Sequence, residues 1–212
     1  PAFVLGVLFT SLVRGMPIDA SKNMYASFGD YFDPYSIVGG IAMIVLCLVH
    51  GLTFIGIRTE GQIRDRARSL VSKIYLILLA GLIVFAVLTY TMTDLFEVRP
   101  LATPLFLLGA VVTTVLGYVF SAKKREALAF TMTASTMLFT VTMLFVGLFP
   151  RVMVSSISSE YNLTILNASS GPYTLKVMTI VALILLPFVL GYQIWSYYVF
   201  RKRISDKEPV SH

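Results

Sequence analysis

A chain of 212 residues with 57% hydrophobic and 13% charged residues, and a mean hydropathy of +0.81, is not composed like a soluble domain, where about 25% of residues are charged. Its length is better counted in bilayer crossings of roughly 20 apolar residues each. The formal charge of +6 does not point to nucleic acid, because the basic residues sit in short runs beside the apolar stretches, where they meet anionic lipid headgroups. Cys47 is alone in an apolar run and reads as a small buried hydrophobe.

In chain order, residues Pro1 to Val13 are apolar, too short to span, and lack the basic n-region and small-residue cleavage site of a signal peptide. They read as the last half of a membrane helix that begins before the chain does. Five complete spans are expected next: Tyr35 to Ile57, Ile74 to Thr93, Pro104 to Ala122, Ala127 to Phe149 and Val177 to Phe200. None contains Asp, Glu, Lys or Arg. Pro104 suits a helix start, and Pro187 is expected to bend the last span without ending it. The predicted fold is an all-α integral membrane protein, a polytopic transmembrane helix bundle. Residues 1–34 form the end of a truncated helix and an extracytoplasmic loop, 35–200 the five-span bundle, and 201–212 a cytoplasmic basic tail.

Orientation follows from the loops. Of the seventeen Lys and Arg residues, twelve fall on one side of this arrangement and five on the other. The positive-inside rule makes the richer side cytoplasmic, with Arg58, Arg64, Arg66, Arg68, Lys73, Lys123, Lys124, Arg125 and the C-terminal tail. Tyr192, Trp195, Tyr197 and Tyr198 before Arg201-Lys202-Arg203 form an aromatic belt and a basic stop at that interface. Two long loops lie on the opposite side, Arg14 to Pro34 and Arg151 to Lys176, with the shorter Asp94 to Thr103 between them. Asn162-Leu163-Thr164 and Asn167-Ala168-Ser169 match the glycosylation sequon, but such short patterns arise by chance in a Ser/Thr-rich loop.

Chemistry is sparse. His50 is the one ionisable side chain of this kind inside a span, and intramembrane histidines are functional candidates. As a haem ligand it needs a partner. His212 lies in the polar tail, and Met43, seven residues away, leaves a His–Met pair open. An interhelical hydrogen bond is the preferred reading of His50. Gly39, Gly40, Gly81, Gly109, Gly117 and Gly191 are read as close-packing points between helices, and Thr131, Thr133, Ser135, Thr136, Thr140 and Thr142 as hydroxyls bonding carbonyls or neighbouring helices. No phosphate loop, His-Glu-x-x-His or haem-attachment motif occurs. No catalytic, cofactor-binding or metal-binding residue is assigned. A transporter is disfavoured by the lack of intramembrane carboxylates and cations.

Four groups of residues carry a resemblance: Val13-Arg14-Gly15-Met16-Pro17 with Asp33-Pro34-Tyr35; His50-Gly51 with Arg58-Thr59 and Arg64, Arg66, Arg68; Phe149-Pro150-Arg151-Val152-Met153 with Asn167, Gly171, Tyr173 and Leu175-Lys176; and Gly191-Tyr192-Gln193-Ile194-Trp195 with Tyr197 and Arg201. Together they resemble subunit II of cytochrome bd-type quinol oxidases, over essentially the whole chain, as the C-terminal three-fifths or so of the family's usual length. The resemblance implies a haem-free structural subunit built of two four-helix bundles and a peripheral helix. Its partner, the haem-bearing subunit I, holds haems b and d, oxidises quinol from the quinone pool and reduces oxygen to water. A small single-span subunit is a further possible partner. The resemblance also implies a bacterial plasma membrane location with the C-terminus cytoplasmic. The family's proton-route acids lie in N-terminal helices not represented here, so none is carried onto this chain. A transporter subunit and a membrane structural or assembly protein remain as alternatives.

Overall fold

The computed structural model describes residues 1–200; the basic tail with Arg201, Lys202, Arg203, Lys207 and His212 lies outside the described residues. Seven helices follow in order: α1 (Ala2–Arg14), α2 (Pro34–Arg58), α3 (Gly61–Met92), the single-turn α4 (Leu95–Val98), α5 (Ala102–Ala122), α6 (Glu126–Leu148) and α7 (Pro172–Val199). Five of them (α2, α3, α5, α6 and α7) are long and apolar enough to cross a membrane. In hydrocarbon, backbone N–H and C=O groups find no water, so spanning segments close their hydrogen bonds internally. The result is an all-α membrane bundle of five spans with the shorter α1 laid along α2.

Local signals explain most of the boundaries. Pro34 occupies the first turn of α2, and the Asp33 carboxylate caps that turn by accepting from the backbone N–H groups of Tyr35 and Ser36 at 2.9 and 3.3 Å. The structure starts α3 at Gly61, thirteen residues before the expected Ile74. The segment from Arg64 to Lys73 was expected as a loop, yet it is a helical extension. Lys, Arg and Ala are good helix formers, and the extension's Arg64 and Arg68 find a partner on α6 (below). Likewise α7 starts at Pro172 rather than Val177, again with proline in the first turn, and it runs unbroken through Pro187. The loop expected at Asp94 to Thr103 contains α4, closed by the Thr103 hydroxyl donating to the Leu95 carbonyl at 2.9 Å.

Small residues set the closest helix contacts. A Cβ on Gly6 would lie 2.6 Å from the Gly39 carbonyl oxygen and 2.8 Å from Gly40 Cα, so α1 and α2 touch backbone to backbone. A Cβ on Gly109 would lie 3.0 Å from the Phe139 ring of α6. Gly81 and Gly191, read as packing points, meet nothing within 4 Å among the described residues. Hydroxyls supply the second kind of contact: Thr113 and Thr114 of α5 both reach Thr136 of α6, at 2.9 and 3.2 Å. The remaining hydroxyl capacity goes to carbonyls one turn back, as with Thr131 to Ala127 and Thr140 to Thr136.

The three connections opposite the basic loops weave into a cap, here called the loop face. Gly15, at φ 106°, ends α1 in a conformation that favours glycine. The chain then pairs with the segment after α6, Met16 N–H donating to Val154 O at 3.0 Å and Ser156 N–H to Met16 O at 2.9 Å. Two short strands, β1 (Arg151–Met153) and β2 (Leu163–Thr164), pair antiparallel beside it. Arg151 grips Asp94 through both guanidinium nitrogens, at 2.5 and 2.9 Å. The cap thereby ties the loop ends of α1, α3 and α6 together. In contrast, α7 buries none of its residues against the rest of the chain.

Two fully buried tyrosines differ in one respect. Tyr35 stacks on Phe85 and shares a hydrogen bond with Thr89 at 3.2 Å. The Tyr75 hydroxyl rests in the notch at Gly117 and has no partner among the described residues. Leaving a buried polar group unpaired costs about 1–3 kcal/mol, whereas a satisfied one contributes about 0.5–1.5 kcal/mol. Tyr75→Phe is therefore expected to raise, and Tyr35→Phe to lower, the thermal unfolding midpoint in detergent. Gly6→Ala, which drives a methyl into the α2 backbone, is expected to lower stability by about 1–3 kcal/mol in the same measurement.

Candidate functional site

His50 lies two-thirds of the way along α2. Its Nδ1 is 2.8 Å from the Thr133 hydroxyl on α6, and its ring stacks on Phe130, one turn earlier on α6, with centroids 4.2 Å apart. Thr133 also donates to the Phe130 carbonyl at 2.8 Å. A hydroxyl has a single proton, so with that proton on Phe130 the Thr133 oxygen accepts from a protonated Nδ1. The bond joins α2 to α6. Sequence identified His50, but its partner was legible only as one of six hydroxyls on α6.

Below His50, toward the basic loops, sits the one ion cluster between spans that the described residues contain. Glu126 opens α6, and its carboxylate pairs with Arg64 at 3.2 Å and with Arg68 through Nε at 2.5 Å and through Nη2. The two arginines are one helical turn apart on α3, so both face the same acid. Gly56 of α2 makes room for it: a Cβ there would stand 3.1 Å from Glu126 Cγ. The Glu126 side chain is 12% exposed and the arginines about a quarter exposed. The sequence hides this cluster because the polar run from Arg64 to Lys73 reads as a lipid-facing loop; the Arg64-x-x-x-Arg68 spacing of one helical turn is its signal.

An apolar cavity of about 300 Å³ opens between α1, α2, α3 and α6, lined among others by Phe9, Met43, Leu46, Leu82, Phe85 and Leu144. Cys47 and the hydroxyls of Thr10, Thr136 and Thr140 are its few polar borders, and Thr10, Thr136 and Thr140 already donate to carbonyls of their own helices. Met43 lines this cavity and His50 does not, so the His50–Met43 pair considered from sequence does not face a common space. With Nδ1 at Thr133 and one ring face against Phe130, His50 is a bridge between α2 and α6. Among the described residues no three His, Cys, Asp or Glu side chains converge as a metal-binding group.

On the loop face, the two sequon asparagines are part of the architecture. Asn162, nearly buried, accepts the Ser155 backbone N–H at 2.7 Å through its side-chain oxygen. Asn167 accepts from Thr164 N–H at 2.7 Å and donates Nδ2 to the Asn162 carbonyl at 3.1 Å. The amide nitrogen that a glycan requires is in use at Asn167.

A family profile for cytochrome bd terminal oxidase subunit II matches residues 1–200. The chain belongs to that family. It is 52% identical to cytochrome bd ubiquinol oxidase subunit 2 of Bacillus subtilis (strain 168), over 100% of this chain and 63% of that protein. It is 27% identical to the probable cytochrome oxidase subunit 2 of Haemophilus influenzae, over 93% of this chain and 61% of that protein. Against cytochrome bd-I ubiquinol oxidase subunit 2 of Escherichia coli (strain K12), the identity is 24% over 98% of this chain and 64% of the relative. The chain thus spans about three-fifths of the length of these curated relatives. The subunit II resemblance read from the four residue groups is the family found here. His50, the Glu126 cluster and the cavity all lie within the residues that the family profile matches.

Breaking a partly buried ion pair by removing one partner leaves the other charges uncompensated. Glu126→Ala is expected to destabilise the bundle by about 1–3 kcal/mol after solvent screening of the two arginines is allowed for, measured by thermal unfolding in detergent. A double-mutant cycle with His50→Phe and Thr133→Val is expected to return a coupling of about 0.6–1.7 kcal/mol, the range for intramembrane hydrogen bonds.

Proposed function

We propose that this chain is the structural part of the second, haem-free subunit of a quinol:oxygen oxidoreductase, and that it supports a larger haem-bearing subunit in the bacterial plasma membrane. The observation that carries this reading is the subunit II family match across all the described residues, which coincides with the five-span bundle. Relatives bearing the name ubiquinol oxidase subunit 2 supply the substrate class. On this reading quinol is oxidised and oxygen reduced to water at haems b and d of the partner, and this chain holds no haem of its own. The basic ends of α2, α3 and α5 face the cytoplasm with the C-terminus, and the loop face lies outside.

The geometry supports a scaffolding role in three ways. Backbone contact between α1 and α2 makes a close seam at Gly6, Gly39 and Gly40. The Glu126 cluster clamps α3 to α6 at the basic ends, and the Asp94–Arg151 pair clamps α4 to β1 at the opposite ends. Between these clamps the interior is apolar, with hydroxyls bonded to their own helices. Such a body excludes water and holds its outer surface in a fixed shape, which is what a cofactor-bearing neighbour needs from a subunit that shields it. The apolar α7 offers an unburied surface of 28 residues.

The test is a reduced-minus-oxidised visible spectrum of the full-length protein, purified gently through a C-terminal tag. Bands of b- and d-type haems together with a larger second polypeptide are expected. A clean preparation with no haem band and no second polypeptide overturns the proposal and favours a transporter or structural protein. The 212-residue chain purified by itself is expected to show no quinol-dependent oxygen uptake above a detergent blank in an oxygen electrode.

A further inference from the structure

The loop between α1 and α2 carries an exposed aromatic pair whose placement is not explained by packing of the chain on itself. Phe28 is 82% exposed and Phe32 37%. They stand on a 3-10 turn, Phe28–Tyr31, that is closed on itself. Ser27 donates to the Asp30 carboxylate through both its backbone N–H, at 2.6 Å, and its hydroxyl, at 2.9 Å. Phe32 N–H then donates to Gly29 O at 3.0 Å. The polar atoms of the turn are satisfied locally, and the two rings project from it in contact, centroids 4.7 Å apart.

Their depth can be read from the helices. The Phe32 ring stacks on Phe3 of α1 at 6.4 Å. The Phe3 ring in turn lies against Gly40 of α2, where an added Cβ would meet it at 2.6 Å. Gly40 is six residues inside α2, about 9 Å below Pro34 at 1.5 Å per residue. Hence the turn does not rise away from the bundle; its Phe32 ring folds down onto the flank of the α1–α2 hairpin. Ile37 and Ile44, three residues before and four after Gly40, share its helix face and are themselves more than a third exposed. The aromatic pair continues that apolar flank. Phe on the membrane face of an interfacial segment buries at the boundary of headgroups and acyl chains, and a turn that bears two such rings fits a lipid partner better than bulk water.

We infer that the Phe28–Phe32 turn is a membrane-interface anchor, seated among the lipid headgroups and upper acyl chains of the leaflet on the loop face, where it fixes the depth of the α1–α2 hairpin. This rests on the transmembrane placement of α2 and not on the oxidase reading. The occupant is bilayer lipid; coverage by another protein surface is the competing outcome.

The test uses the full-length protein, with whatever subunits accompany it, in phosphatidylethanolamine–phosphatidylglycerol vesicles. The native thiols, including Cys47, are replaced, and a nitroxide is attached at Phe28→Cys or, as the reference in the same loop, at exposed Ser21→Cys. Phe28 is largely exposed and contacts Phe32 alone among the aromatic rings, so its replacement leaves the helix contacts intact. Power-saturation EPR compares relaxation by oxygen, which partitions into lipid, with relaxation by a water-soluble nickel chelate. An oxygen-to-nickel accessibility ratio several-fold higher at 28 than at 21 is expected. Equal ratios place the turn in water and overturn the inference. Low accessibility to both reagents at 28 means that protein covers the turn, and overturns it equally.

Discussion

Everything in this structure follows from the absence of water around the middle of each span. Backbone groups there must bond within their own helix, so the chain has no choice but to cross as helices. Once helical, it gains little by hiding one apolar side chain from another, because lipid is as apolar as leucine. Helix association then depends on backbone proximity, interhelical hydroxyl bonds and a few charges placed where water still reaches. The α1–α2 seam uses the first, the Thr113–Thr114–Thr136 contact the second, and Glu126 with Arg64 and Arg68 the third.

The ion clamps sit at the two ends of the bundle for the same reason. Glu126 lies at the first residue of α6, and Asp94 lies between α3 and α4. At these positions the desolvation cost of a charge is reduced, while the low-dielectric flank still strengthens its pairing. Within the spans, the buried or half-buried polar side chains include His50, Tyr35, Tyr75 and hydroxyls. His50 and Tyr35 are each joined to a threonine on a neighbouring helix. The design is that of a body whose ends are locked and whose centre is inert.

The family match sets this chain among cytochrome bd terminal oxidase subunits II. Pro187 is the interior proline of a span, and α7 continues through it without interruption. The features that remain are the cavity by Met43, lined by four helices, and the exposed aromatic turn at Phe28.

The sequence by itself determined the number of spans and their order, because each depends on composition over some 20 consecutive residues and on nothing distant. It also carried the family, through phrases spread from Val13 to Trp195. It pointed to His50, since a histidine in an uncharged run stands out without any structure. What it did not reveal was which residues meet. The helical run from Gly61 to Lys73 was hidden because its polarity resembles a loop, and only Glu126, nearly sixty residues away, gives its arginines a reason to be ordered. Gly81 and Gly117 look alike in sequence, yet one faces open space and the other receives the Tyr75 hydroxyl. Span identity is a property of local hydropathy; helix rotation is decided by contacts between distant segments, and so only the tertiary structure could assign each small or polar residue its partner.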